Sequence, residues 1–282
     1  MGLNPDLTRL LAAADRAMDD TVDVAPHGPL RVGVDLGTAF TVLFVVDESG
    51  FPIAGAYRFA DVVRDGVVLD YLGAVDLVKE LKADVEARTG QPLTTAAVTI
   101  PPGVPISEVR SHGYVVSAAG LECTCIVDEP TAANAILGVT DGAVVDIGGG
   151  TTGIAIIRDG QVVATGDEPT GGTHLSLVIA GAHGIDFGRA ELMKRDPANH
   201  ARLFPVVRPV LEKIGTIVRD QVAGHRVTQL HLVGGTSAFT GIEGVIASVT
   251  GIPTDIPGNP LFVTPLGVAL YDDPNCDQSW RG

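Results

Sequence analysis

The sequence predicts an α/β fold made by duplication, two similar halves, and three observations predict it. First, GAVVDIGGGTTGIAIIRDGQVVATG can be laid over RVGVDLGTAFTVLFVVDESGFPIAG so that Asp146 falls on Asp35, 111 residues earlier. Second, each copy reads apolar strand, aspartate, apolar residue, glycine, a tight turn with threonine, and a second apolar strand. Third, strand-like runs alternate with helical stripes along the chain, as sheets covered by helices require. The halves span 30–139 and 140–271, with a leader helix and linker over 1–29 and a tail over 272–282.

In the leader, Leu3, Leu7, Leu10, Leu11, Ala14 and Met18 recur at three- and four-residue steps, so 4–20 reads as an amphipathic helix. Pro26, Gly28 and Pro29 then make the linker. Such a helix either packs back on the body or docks on a partner protein, and the sequence leaves both open. From Leu30 the runs LRVGVDLG, FTVLFVVDESG and FPIAGAYRF imply three adjacent strands. A helix is predicted over 70–89, with Leu72, Val75, Val78 and Leu81 as its apolar stripe and Gly90 as its end. A strand over 94–100, a helix over 107–119, a strand over 122–127 and a helix opening at Pro130 complete the first half. Ala132, Ala133 and Ala135 on that last helix are small enough to let another helix come close.

The 282 residues are 45% hydrophobic, enough for one large core or two smaller ones. A net charge of −15 argues against a nucleic-acid surface or an anionic membrane face, since both need a basic stripe. No run approaches the roughly 20 apolar residues of a spanning helix, and the acidic first segment is unlike a signal peptide, so a cytoplasmic protein without a transmembrane segment is expected. Cys123, Cys125 and Cys276 form neither a disulfide framework nor a CxxC knuckle, and they read as buried or half-buried thiols. The histidines are scattered without ligand spacing, so no transition-metal site is expected.

In each half the strand ends in an aspartate and turns over glycine, which lets backbone N–H groups face a phosphate without a Cβ in the way. Thr38 and Thr151 add hydroxyls, and Asp35 and Asp146 are placed to hold a hydrated Mg²⁺ through its waters. A single such turn says little, because Asp, Gly and Thr also serve turn geometry alone. Two at matching places in a duplicated chain point to one polyphosphate clamped between them. Glu129 sits directly after an apolar strand, near the expected metal or attacking water, although acidic residues also favour helix N-termini for their own sake. The LHLVGGTSAFTGIEGVI segment runs a strand into a double glycine and a helix, which suits close approach of a base or ribose.

Taken in order, VGVDLGTAFT, IVDEPTAANAI, VVDIGGGTTGIAII, LHLVGGTSAFTGI and TPLGVAL resemble the five motifs of the actin, sugar-kinase and heat-shock-chaperone ATPase superfamily. The resemblance runs from Leu30 to Tyr271 and implies an actin-like ATPase (ribonuclease-H-like) fold, two mixed-sheet halves around a nucleotide cleft, with reduced outer subdomains because the insertion between the third strand and the first connecting helix is short. It further implies ATP or ADP with Mg²⁺, held by Gly37, Thr38, Gly148, Gly149, Gly150, Thr151, Glu191, Lys194, Gly234 and Gly235. Glu191 and Lys194 resemble the Glu-x-x-Lys helix with which DnaK-type chaperones and bacterial actins hold adenine and ribose, and Gly171-Gly172 resembles a glycine pair near the phosphates. Asp35 and Asp146 would anchor the metal, with Glu129 and Asp146 orienting the water.

Within that superfamily, YRFADVVRDGVVLDYLGAV, TIPPG, VDEPTA, DIGGGTTGIAI, DEPTGGTHLSL and LFVTPLGVAL resemble the ethanolamine-utilisation EutJ family, described as chaperone-like and tied to bacterial microcompartments. The resemblance implies an ATP-dependent chaperone or assembly role, with a protein client or microcompartment component as partner. Three departures accompany it. The sequence has eleven residues after Tyr271 where a full heat-shock chaperone adds a substrate-binding domain, no lysine matches the chaperones' phosphate-contacting lysine, and Ala39 stands where a second threonine is expected. Lys79 and Lys82 belong to the amphipathic helix instead. Weak or partner-stimulated hydrolysis is therefore expected, because a cation that stabilises charge on the transferred phosphate is missing. The alternative reading is a filament or scaffold protein like the bacterial actins.

Overall fold

The structure is a computed structural model that describes residues 5–19, 27–64 and 66–276. A helix, α1 (Pro5–Asp19), precedes the hairpin β1 (Arg31–Leu36) and β2 (Phe40–Val46), which β3 (Pro52–Phe59) extends. A short hairpin, β4 (Val63–Arg64) and β5 (Val67–Val68), leads into α2 (Tyr71–Thr89), β6 (Thr95–Ile100), α3 (Ile106–Ala118), β7 (Glu122–Asp128) and α4 (Glu129–Leu137). The pattern then restarts with β8 (Gly142–Ile147), β9 (Thr152–Arg158) and β10 (Gln161–Glu168). After α5 (Gly172–His183), α6 (Phe187–Arg195) and α7 (His200–Val222) come β11 (Leu230–Val233), α8 (Ile242–Thr250), β12 (Thr254–Asp255) and α9 (Val263–Ala269).

The duplication read from the sequence holds at the level of register. One sheet has the order β3-β2-β1-β6-β7 and the other β10-β9-β8-β11-β12, each mixing an antiparallel hairpin with parallel neighbours. Asp35 lies opposite Val42 and Asp146 opposite Gly153, so both partners keep the same 111-residue offset. The turns match as well: the Gly37 N–H donates to the Phe40 carbonyl and the Gly148 N–H to the Thr151 carbonyl, both at 3.0 Å.

Packing divides the chain into two compact units. One runs to Gly138 and resumes at Phe262, and the other is Val139–Leu261. The units and the sequence repeats are therefore not the same thing, since α9 belongs by sequence to the second repeat and by contact to the first unit. In the first unit Val32, Val34, Leu43 and Val45 pack with Val78, Leu81 and Val115. The second buries Val145, Ile154 and Ile156 with Leu203, Leu211 and Ile214.

The predicted elements appear with local differences. For α2, the Asp70 carboxylate accepts from the Gly73 N–H at 2.9 Å, and Gly90 closes the helix at φ 66°, the left-handed conformation that glycine adopts at least cost. Leu72 does not join the stripe: it is 73% exposed. On α4, Ala132 and Ala133 are buried as expected but Ala135 faces out. The apolar face of α1 packs against β3, with Leu7, Leu11, Ala14 and Ala17 buried. The Arg88 guanidinium also donates to the Ala17 carbonyl at the helix end, 2.6 Å away. That face is thus occupied within the unit, which leaves the polar side of α1 exposed. Leu3 of the predicted helix and Pro26 of the linker lie outside the described residues.

The reading of the cysteines as thiols is corrected. Cys125 and Cys276 form a disulfide across 151 residues, with Cα atoms 5.6 Å apart, while Cys123 is buried and its Sγ donates to the Cys125 carbonyl at 3.6 Å. Spacing along the chain does not show this pair, because the segment after α9 returns beside β7 only in the fold.

Where α9 crosses α4, Gly267 faces the Ala132 carbonyl so closely that a Cβ would overlap it. Backbone on both sides leaves no flexible side chain to move aside. Gly267→Ala, which in an unconstrained helix stabilises by up to about 1 kcal/mol, is expected here to destabilise by about 2 kcal/mol. A lowered thermal midpoint checks this, and a raised one would mean that the two helices are not in contact.

Candidate functional site

The second unit gathers most of the predicted site residues. β8 ends with Asp146, which is 5% exposed, and the chain turns at Gly148. The carbonyls of the following loop point into the unit. Gly148 O accepts from Gly172 N at 2.9 Å and from Thr236 Oγ1 at 2.7 Å, and Gly149 O accepts from Thr173 N at 2.8 Å. In a trans peptide the C=O and the next N–H are antiparallel. The N–H groups of Gly149 and Gly150 therefore point the opposite way, away from the carbonyls' partners. Gly171 is fixed by the same approach, since a Cβ there would lie 2.7 Å from Gly148 O and 2.8 Å from Gly149 O.

Gly172 begins α5, and one turn later Ser176 faces α6. There Glu191 and Lys194, three residues apart and so on one helix face, form a buried ion pair with Nζ 2.6 Å from Oε2. Ser176 Oγ donates to the same Glu191 oxygen at 2.5 Å, and Lys194 Nζ also donates to the Gly172 carbonyl at 3.1 Å. Burial pushes the Lys194 ammonium below the ordinary lysine range, and the Glu191 carboxylate opposes that shift. Gly234 ends β11 at φ 85°, and a Cβ on it would strike the Asp146 carboxylate and stand 2.6 Å from the Ile147 carbonyl. Beside Gly235, a pocket of about 530 Å³ opens between Ser237–Gly241 and Ile256–Pro260.

The first unit carries the other members. Asp35 is half-buried and accepts from Thr99 Oγ1 at 2.7 Å. Gly37 and Thr38 form the turn that repeats at Gly148, and a Cβ on Gly37 would stand 2.8 Å from the Phe40 carbonyl. Glu129 is the first residue of α4, whose N-cap Asp128 accepts from the Thr131 N–H at 3.0 Å. Lys79 and Lys82 pair with Asp76 and Glu86 on their own helix, as their sequence position suggests. Sequence reasoning missed Ser176, Thr236 and Thr99. Ser176 lies one helical turn after Gly172 and was open to detection by spacing, whereas Thr99 meets Asp35 across 64 residues without a local signal.

Solved structures and curated sequences place this geometry. A crystal structure of ethanolamine utilization protein EutJ from Carboxydothermus hydrogenoformans matches at TM-score 0.89 and 47% identity, over 94% of this chain and 98% of that one. Ethanolamine utilization protein EutJ of Salmonella typhimurium is 41% identical over 262 residues, 93% of this chain and 91% of that protein. The chain belongs to the EutJ family. The family model for Hsp70 protein matches residues 72–203 and that for cell division protein FtsA residues 143–268. MreB 5 of Spiroplasma citri, solved with AMPPNP, shares the fold at TM-score 0.69 and 19% identity, over 87% of this chain and 96% of that one. The EutJ-family chain thus has the actin-like ATPase fold that its five motifs imply. Among the described residues no helix is long and apolar enough to cross a membrane.

Proposed function

We propose that this protein binds ATP with Mg²⁺ and works in ethanolamine utilisation as a chaperone-like, nucleotide-dependent switch. Its client is a protein or a component of a bacterial microcompartment, in the cytoplasm or associated with the compartment. The observation that carries this reading is the Gly148–Gly149 loop, with its carbonyls bonded inward and its N–H groups turned the other way beside Asp146. Gly148 to Thr151 meet the phosphates, Glu191 and Lys194 the ribose and base, and Gly234-Gly235 the adenosine. Gly171 and Gly172 support the phosphate loop from behind. In the first unit Asp35, Gly37 and Thr38 contribute the matching turn.

Asp35 and Asp146 would hold the metal, which would supply charge neutralisation at the phosphates. An ion held by these carboxylates would keep several of its waters, as Mg²⁺ usually does. Glu129 and Asp146 orient a water. Lys79 and Lys82 are engaged on α2, so hydrolysis without a partner is slow on this reading.

Isothermal titration with ATP, ADP and a non-hydrolysable analogue, with and without Mg²⁺, tests the reading. Asp146→Asn keeps the shape of the side chain and is expected to weaken Mg·ATP binding by about tenfold or more. Unchanged affinity in that variant would remove Asp146 from the site, and no binding by the wild type would remove the nucleotide. Sedimentation after adding Mg·ATP separates a switch, which stays in the supernatant, from a filament.

A further inference from the structure

One imidazole outside the five motifs ties two of the proposed nucleotide elements together. His200 is the first residue of α7 and is 4% exposed. Its Nδ1 accepts from the Thr240 backbone N–H at 3.0 Å and lies 2.9 Å from Thr240 Oγ1. A backbone N–H can only donate, so Nδ1 is the unprotonated nitrogen of a neutral ring and the proton sits on Nε2. Nε2–H then donates to the Lys194 carbonyl, 2.8 Å away. The ring also stacks on Phe239, with centroids 4.1 Å apart and planes inclined by 25°.

These contacts connect two parts of the second unit. The Lys194 carbonyl lies in the last turn of α6, where helix carbonyls lack partners within the helix, so His200 caps the helix that carries Glu191 and Lys194. Phe239 and Thr240 follow the Gly234-Gly235 turn and line the pocket of about 530 Å³ beside it. An apolar side chain would fill the same volume but make neither hydrogen bond.

We infer that His200 is a positioning residue for the nucleotide, holding the Glu191–Lys194 helix at a fixed distance from the loop after Gly234-Gly235. The inference rests on the nucleotide reading above and names a determinant of affinity for the adenosine part of the ligand. His200 bonds to Thr240 and the Lys194 carbonyl and reaches the Gly148 loop at second hand, through the Lys194–Gly172 bond, so its larger influence falls on adenosine recognition.

The test is titration of the full chain with Mg·ATP and, separately, with inorganic tripolyphosphate, alongside circular dichroism. His200→Ala is expected to keep the wild-type spectrum, lose about tenfold in ATP affinity, and change tripolyphosphate affinity less than about twofold. His200→Asn, which keeps an acceptor for the Thr240 N–H, is expected to recover part of the loss. Equal losses for both ligands, or no loss for ATP, overturn the inference. If the alanine variant does not fold, His200→Asn and His200→Gln each retain one of the two links, and wild-type ATP affinity in both overturns it too. Failure of the wild type to bind ATP would instead refute the nucleotide reading.

Discussion

Asp272→Ala is expected to lower the stability of the protein by about 3 kcal/mol, although the residue lies outside every motif of the proposed site. The Asp272 carboxylate is 6% exposed and accepts three hydrogen bonds from three strands of one sheet. Oδ2 accepts from the Val32 N–H and Thr95 Oγ1, both at 2.9 Å, and Oδ1 accepts from Thr124 Oγ1 at 2.7 Å. These donors belong to β1, β6 and β7 in turn. Truncation leaves one backbone N–H and two hydroxyls without that acceptor in a dry environment, at about 1–3 kcal/mol each, offset in part because a buried charge is also removed.

Two controls sharpen this prediction. Asp272→Asn is expected to cost under about 1 kcal/mol, since an amide oxygen can serve Val32 and Thr95 while its NH₂ donates to a rotated Thr124 hydroxyl. The pH dependence has a definite sign. Burial, the largest influence, pushes the Asp272 carboxyl above the ordinary carboxylate range, while its bonds to Thr124, Val32 and Thr95 pull it down. A carboxyl whose folded-state pKa is raised contributes stability that is fully present below the unfolded-state value and is lost as pH rises through the folded-state value. The gap between wild type and Asp272→Ala in denaturant midpoint is therefore expected to widen as pH falls toward the carboxylate range. A gap that narrows would show that the charged form is the one the fold favours.

Asp272 also marks the limit of what the sequence discloses. The hairpins, the aspartate turns and the strand order follow from a repeat that survives comparison at one fixed offset, and hydrophobic periodicity then assigns faces to single elements. Neither signal says which distant segments meet. The Asp272 bonds span 148 to 240 residues, and the Cys125–Cys276 disulfide spans 151. The placement of α9 with the first unit belongs to the same class. Helix α7 is hidden for a local reason: Pro205 and Pro209 lie inside it, although Leu203, Val207, Leu211, Ile214 and Val218 form a continuous buried stripe. Both prolines face outward, so the stripe was legible and the breaker rule obscured it.

The Glu191–Lys194 pair offers the second large effect and separates a structural role from a functional one. Glu191→Gln removes the carboxylate and leaves a buried ammonium facing the Gly172 carbonyl, which is expected to cost about 3 kcal/mol. Lys194→Met leaves the carboxylate with the Ser176 hydroxyl at a similar cost. Combining the two substitutions removes both charges, and replacement of a whole buried pair is often close to neutral, so the double variant is expected within about 1 kcal/mol of wild type. The pH behaviour of Glu191→Gln follows from the lowered Lys194 pKa. For a group held below its unfolded-state value, stability is present above that value and lost as pH falls through the folded-state one, so this variant should regain stability relative to wild type at alkaline pH. Nucleotide binding then decides the role. If the pair serves packing alone, the double variant binds Mg·ATP as the wild type does. If Glu191 and Lys194 contact the ligand, the double variant melts near the wild-type temperature yet binds about tenfold or more weakly, because the restored core no longer presents the polar atoms that the nucleotide needs.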